Sequence, residues 1–431
     1  MRRILFLFFI LSVGSSWAQS VPVDTMRITR AEAEQLFLTN NLRLIAEKLT
    51  ISQAEAQILQ AKAWPNPNFG IDQVNLWATQ RQTRGEEVSP PLGKNFGRNQ
   101  QFAFDLEQLI LTAGKRRKMV AIEKVNRDRT EQYFLDLLVS LKAEFRNLLT
   151  ELTYDQQTKQ LFADQLTVLS EVFKAQERQY QNNNLSKAEY FRLKSLELEL
   201  MDDLRELDQE IQDSQQQLKT LMALPVTTYL IIKDGSVLPA YTALKQGGFS
   251  FFRQRVSEDP PRLRAAQSEV AYAKAQSRYE EAKRTPDLTL KAGYDRNGNT
   301  MLDFVGFGVS ADIPVFDRNK GNILSSKIEI EKTSRQLEEA RNDWQNQLFK
   351  AYANFLGTSD FYERIDVNYA TELEELSEAI SRNFQRKNIS LLEFLNYFEA
   401  FRANRETLLK ATKNLRNSLE ELNYLAGTDL P

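Results

Sequence analysis

The 431-residue sequence predicts a mostly α-helical chain with a small β part, built as a duplicated unit of helix, strand hairpin and long helical hairpin. Three observations carry that expectation. Gly and Pro are absent from Lys115 through Leu224 and again from Thr358 through Ala426, and long stretches free of both breakers are helical by default. Short segments that alternate apolar and polar residues follow helix-breaking prolines at two places. The same residue grammar also recurs at a fixed offset of 204 positions.

Composition narrows the chemistry before any motif is read. The chain has 56 basic and 58 acidic side chains and a formal net charge of -2, a balance that argues against a dedicated nucleic-acid binder. It contains no Cys and no His, which excludes thiol nucleophiles, disulfides, Cys or His zinc sites and every triad that needs an imidazole. With only 6 Met as well, no soft-ligand relay for metal ions is available. The many carboxylates on periodic helices read as solvated faces and i to i+4 partners rather than as catalytic pairs. The expectation is a protein that is not an enzyme and uses no cofactor or bound metal.

The segment 1–18 reads as a secretory signal: Arg2 and Arg3, an apolar run from Ile4 to Val13, then a small-x-Ala ending at Ala18. The apolar run is well short of the roughly 18 to 20 residues that would span a bilayer as a helix. The first repeat is expected over residues 19–224. Its opening helix ends at Ala63-Trp64-Pro65, and a strand pair follows over about 67–111. Phe69 and Ile71, then Val74 and Leu76, then Phe102, Phe104 and Leu106 alternate with Asp72 and Asp105. The loop Gln80 to Arg98 between them is rich in Gly, Pro and charge.

A long helical hairpin is expected over 113–224. Phe134, Leu138, Leu141, Phe145, Leu148 and Leu152 form a seam of alternating 4 and 3 spacings. After a phase shift Phe162, Leu166, Leu169, Phe173, Gln176 and Tyr180 resume it. A helix from Lys115 to Gln181 would be roughly 100 Å long at about 1.5 Å per residue. It turns back at Asn182-Asn183-Asn184, where Ser186 can restart a helix with Glu189 as its capping-box partner. Residues 225–259 are a linker with Asp234-Gly235, Pro239, Gly247-Gly248 and two short apolar runs. The second repeat, 260–431, has a strand pair over about 286–316, in which Leu288, Leu290, Ala292 and Tyr294, then Val305, Phe307, Val309 and Ala311, are apolar. Thr289, Lys291 and Asp295 lie opposite, and Asn297-Gly298-Asn299 makes the turn. Its helical hairpin turns at Phe384-Gln385-Arg386-Lys387-Asn388-Ile389-Ser390, the counterpart of Tyr180 to Ser186.

Strands of this length, apolar on one face and polar on the other, are the transmembrane β signature. Four strands cannot close a membrane barrel, which starts at about eight, and open edges are not tolerated in lipid. Copies of the chain must then share a barrel, about 8 strands for a dimer and 12 for a trimer.

This layout resembles the TolC-like outer membrane efflux family, the outer membrane factors. The resemblance covers nearly the whole chain after the signal. It rests on the duplication, on the strand endings Leu109 to Lys115 and Ile313 to Gly321, and on the two helix turns. Where the family typically reads Gly-Leu and then Asp-Val, this sequence has Asn184-Leu185 with Glu189 and Asn388-Ile389 with Glu393. The missing glycines are a departure that Asn, tolerant of the left-handed region, can absorb.

The resemblance implies a homotrimer with a 12-stranded barrel in the outer membrane and an α-helical barrel through the periplasm. It implies a channel of a tripartite efflux system, docked through a periplasmic adaptor (membrane fusion) protein to an inner-membrane transporter. The helix turns become the free periplasmic end. There Tyr180, Glu189, Phe384, Arg386, Lys387 and Glu393 are expected to narrow the channel. Asn184, Leu185, Ser186, Lys187, Asn388, Ile389, Ser390 and Leu391 are expected to meet the adaptor, with Leu185 and Ile389 as exposed aliphatic anchors. Lys115-Arg116-Arg117-Lys118 would form a basic collar where the chain leaves the barrel. The alternative from a different class is a periplasmic adaptor or coiled-coil scaffold, which normally has one hairpin where this chain has two.

Overall fold

The computed structural model of the chain describes residues 24–85, 92, 93, 100–233, 238, 240–296, 303–365 and 369–430. The signal segment, most of the loop after Arg84, the Asp234-Gly235 and Pro239 positions and the Asn297-Gly298-Asn299 turn lie outside the described residues. In chain order the elements are β1 (Asp24–Ile28), α1 (Arg30–Asn40), α2 (Leu42–Lys62), β2 (Asn68–Asn75), β3 (Gln101–Ile110), α3 (Lys115–Gln181), α4 (Lys187–Met222), β4 (Thr228–Ile232), α5 (Thr242–Gln246), α6 (Gly248–Arg255), α7 (Pro261–Ala282), β5 (Leu288–Arg296), β6 (Asp303–Ala311), α8 (Lys320–Glu363), α9 (Tyr369–Gln385) and α10 (Leu391–Ala426). They divide into two compact units, one made of residues up to Asn41, Phe145–Leu238 and Asp366–Lys413, the other of Leu42–Glu144, Pro239–Ile365 and Asn414–Pro431.

The second unit carries the sheet. Its strands lie in the order β2-β3-β5-β6, all antiparallel, so the hairpins of the two repeats join edge to edge through β3 and β5. Directly paired residues share a face. One face is therefore the row Ile71, Phe104, Tyr294 and Val305 with the row Phe69, Leu106, Ala292 and Phe307 beside it. Among the described residues nothing covers this apolar face, and Phe307 is 85% exposed. The other face is small or polar: Gly70, Asp105, Gly293 and Gly306 form one row, and Lys291 makes an ion pair with Glu107 in the next. Phe304 lies across Gly306, where a Cβ would come within 2.7 Å of its ring. The phase change between Ile71 and Val74 has a structural cause. The register slips between Asp72 and Asn75, and Gln73 takes a φ of 51° there, a bulge that carries the alternation across.

Below the strands of this unit, Lys115 is buried at the start of α3. Its ammonium bonds Asp287 at 2.8 Å and the Thr285 carbonyl at 2.7 Å, while the Thr112 amide donates to Asp287. The neighbouring Arg116 stacks on Trp64 at 4.1 Å and donates to the Lys62 carbonyl, and Lys118 donates to the Ala113 carbonyl. The basic run is thus partly spent on capping the junction from within. Along α8, Trp344 donates its indole N–H to the Leu425 carbonyl, and Tyr352 stacks on Phe252 and donates to the Leu244 carbonyl. The helix ends at Glu363, although Thr358 to Ala426 lacks Gly and Pro. The residues that follow, Ile365-Asp366-Val367-Asn368, are all weak helix formers, and the absence of breakers alone overstated continuity.

In the first unit β1 and β4 pair in parallel from Asp24 with Thr228 to Ile28 with Ile232. One of the apolar runs of the 225–259 linker is therefore a strand, with a partner ahead of the first helix. Gln215 on α4 pins β4: its amide donates to the Leu230 carbonyl at 2.7 Å and accepts the Leu230 N–H at 2.9 Å, all buried. Thr29 caps α1 in a capping box with Glu32, and Phe37 stacks on Phe145 at 4.6 Å between fully buried rings. Further along, Phe162, Leu169 and Phe173 of α3, Leu193 to Leu207 of α4, and Leu391 to Phe398 of α10 form one hydrophobic core.

Candidate functional site

The two helix turns of the first unit are the places where the sequence asks for function, and they are near copies of each other. At the first, Asn183 takes a φ of 61°, its N–H donates to the Tyr180 carbonyl at 3.0 Å, and the Asn184 N–H donates to the Gln179 carbonyl at 2.8 Å. At the second, 204 positions on, Lys387 takes a φ of 60°, its N–H donates to the Phe384 carbonyl at 2.9 Å, and the Asn388 N–H donates to the Asn383 carbonyl at 2.9 Å. Both are Schellman stops, which satisfy the last helical carbonyls through one left-handed residue. That residue is one position earlier than expected, so Asn184 and Asn388 are the residues after it. Their side-chain amides reach back to the side-chain carbonyls of Gln179 and Asn383, each at 3.2 Å.

The restart is equally regular. The Ser186 and Ser390 hydroxyls accept from the N–H of Glu189 and Glu393, and each carboxylate accepts from the serine amide in return. Two orphan donors are satisfied at each helix start. The serine hydroxyl and amide hydrogen bonds hold both carboxyls below the ordinary glutamate range, with the hydroxyl leading at Glu189 and the amide at Glu393. Both glutamates are exposed and ionised at neutral pH, and Lys187 on one turn and Arg386 and Lys387 on the other are exposed as well.

The aromatic residues are placed differently from the charged ones. Tyr180 stacks on Tyr190 at 4.4 Å and Phe384 on Phe394 at 4.6 Å, again an equivalent pair. These rings close the ends of their hairpins. The aliphatic anchors need correction. Leu185 and Ile389 are half-buried against the hydrophobic core, and Leu391 is 7% exposed within it. An aliphatic residue at each turn therefore does have a core reason to be there: it plugs the open end of a two-helix seam. The side chains left in solvent at the tips are Asn184, Ser186, Lys187, Asn388 and Ser390.

One group of polar residues escaped the sequence reading. Asp155, Thr158 and Gln165 lie on the buried stripe of α3 between Leu152 and Leu169. The signal was present, because the seam's phase shift falls between Leu152 and Phe162, where Asp155 and Thr158 replace apolar residues.

The chain is thus a duplicated, mostly helical fold that joins two strand hairpins into one sheet and ends two of its helices in matching capped turns. Residues 253–428 match the family of outer membrane efflux proteins. A segment of 107 residues is 27% identical to the cobalt-zinc-cadmium resistance protein CzcC of Cupriavidus metallidurans; it spans 25% of this chain and 24% of that protein. Among solved structures, CusC is similar with a TM-score of 0.68 at 18% identity, over 92% of both chains. The CmeC outer membrane channel of Campylobacter jejuni has a TM-score of 0.72 at 12% identity, over 93% of this chain and 86% of that one. At such identities the likeness is one of fold. The family match covers less than half of the chain, almost entirely within its second repeat, while the fold likeness runs over nearly all of it; neither comparison supports the alternative of an adaptor or scaffold.

Proposed function

We propose that the protein is the outer membrane channel of a tripartite efflux system, a homotrimer whose four-stranded sheets close into one 12-stranded barrel and whose helical hairpins continue it into the periplasm. The sheet carries this reading. Among the described residues nothing covers its apolar face, and the outer edges of β2 and β6 have no strand partner. A surface of that kind is stable in lipid only when the edges are closed.

Alternation of direction makes closure self-consistent. β2 and β6 run in opposite senses, so β6 of one copy meets β2 of the next antiparallel around any cyclic ring. The side chains favour three copies over two. Barrels of about eight strands are filled by their inward side chains, whereas Gly70, Gly293, Gly306 and Gly308 on the polar face are too small to fill one. A wider, water-filled ring follows.

In this reading the two hairpin turns form a ring at the periplasmic end. Glu189, Arg386, Lys387 and Glu393 set its charge, and the exposed Asn184, Lys187 and Asn388 face the adaptor. Leu185, Ile389 and Leu391 support these tips from beneath. The inner-membrane transporter chooses the cargo. The test is fractionation and reconstitution: the protein is expected in the outer membrane as a detergent-resistant trimer that conducts ions in planar bilayers. A soluble periplasmic monomer, or an outer membrane trimer without conductance, overturns the reading.

A further inference from the structure

Within the first unit, α3, α4 and α10 enclose a cleft of about 600 Å³ that the channel reading leaves without a role. Carboxylates reach it from all three helices. Glu151 and Asp155 come from α3, and Glu406 comes from α10. Asp203, Glu206, Glu210 and Asp213 come from α4, spaced 3, 4 and 3 residues apart along one stripe. Among the described residues the basic groups lining the cleft are both on α10, and both are engaged. Arg402 bonds Asp203 at 3.0 Å and Glu199 at 2.8 Å, and Lys413 bonds Glu151 at 3.1 Å.

Asp155 is the anomaly. It is 3% exposed, lines the cleft, and makes no hydrogen bond or ion pair among the described residues. A buried carboxylate without a partner is costly, and structures keep one mainly where something else supplies the counter-charge. Burial pushes its carboxyl up to about 7, Glu151 and Glu210 add repulsion, and Lys413 works the other way.

We propose that this cleft binds a linear polyamine. The distribution of charge selects that class over a metal ion. Among the described residues no three carboxylates converge as metal ligands do. Instead the anionic groups are strung out, because residues three and four apart on a helix lie about 5–6 Å from each other. That is the pitch of ammonium groups separated by three or four methylenes. Thr158, Ser214 and Gln217 add polar atoms to the lining, and Tyr154 and Phe162 offer rings to the methylenes. Those rings already attract cations: the Lys413 ammonium sits 4.1 Å from the Tyr154 ring and the Arg402 guanidinium 5.6 Å from Phe162.

The experiment is calorimetric titration of the full-length protein in detergent with spermidine at pH 8. Saturable binding is expected, weakened at least tenfold by Asp155→Asn and by Glu210→Gln, and weakened at pH 5.5 where Asp155 holds a proton. Magnesium chloride at matched ionic strength is expected not to displace the amine. The site is refuted by an absence of saturable binding, by unchanged affinity in Asp155→Asn, or by displacement that tracks ionic strength alone. Glu210 is exposed, so its neutral variant leaves the packing intact and decides the matter if Asp155→Asn does not fold.

Discussion

Replacing Asp155 by Asn keeps the shape of the side chain and removes a charge from the core stripe of α3. The folded-state carboxyl titrates at about 7, against an ordinary value of 3.8, because burial and the Glu151 and Glu210 charges disfavour its anion. Below pH 4 the group is protonated in both folded and unfolded chains and contributes nothing. Between 4 and 7 the unfolded chain releases the proton while the folded one retains it, so stability falls as pH rises. Above 7 the full penalty applies, and three units at 1.36 kcal/mol each put its ceiling at about 4 kcal/mol. Asp155→Asn is therefore expected to be more stable than the parent at pH 8, by about 1–4 kcal/mol, and equal to it at pH 4. The assay is denaturant unfolding of the detergent-purified protein, followed by helical circular dichroism at a series of pH values without polyamine. If the two proteins keep the same pH slope between 5 and 8, the carboxyl is not the buried proton acceptor assigned to it.

Lys387→Gly is expected to stabilise the second hairpin by about 1 kcal/mol, because the left-handed φ at that turn costs a side chain with a Cβ about that much, and local hydrogen exchange at Asn383 to Asn388 reads it directly. Ala223 holds a φ of 51° at the end of α4, where the equivalent position of the second repeat is Gly427, so Ala223→Gly is expected to give a similar gain in the denaturation midpoint. Lys115→Met leaves Asp287 half-enclosed without its cation and is expected to cost about 3 kcal/mol, seen as less assembled protein in the outer membrane. The double variant Glu189→Gln and Glu393→Gln keeps both capping boxes, since Gln can fill that role, and is expected to shift cation selectivity in planar bilayers with the melting temperature unchanged.

Legibility of the sequence followed the range of the forces involved. Helix bounds and caps are local, and the residues that set them are adjacent: Ser186 with Glu189, and Ser390 with Glu393, could be read from spacing alone. The pairing of β1 with β4 could not. Both strands are short, the whole first repeat lies between them, and what fixes β4 is a buried glutamine on α4 that carries no periodic signal. The tips show a subtler failure. Leu185 and Ile389 look exposed when a turn is assumed to lie in solvent, but each stands immediately before a capping serine, the position whose apolar side chain packs on the first turn of the helix that follows, and both are half-buried against the core. The interruption in the α3 seam carries the reverse lesson. A phase shift reads as a defect in packing until its replacements are named, and here they are an aspartate and a threonine on the stripe that should hold leucines. Long two-faced helices tolerate such a layer only if neighbouring helices compensate it, and in this chain α4 and α10 bring more anions than cations to the same place. The imbalance is what distinguishes a site awaiting a cation from an ordinary buried polar layer.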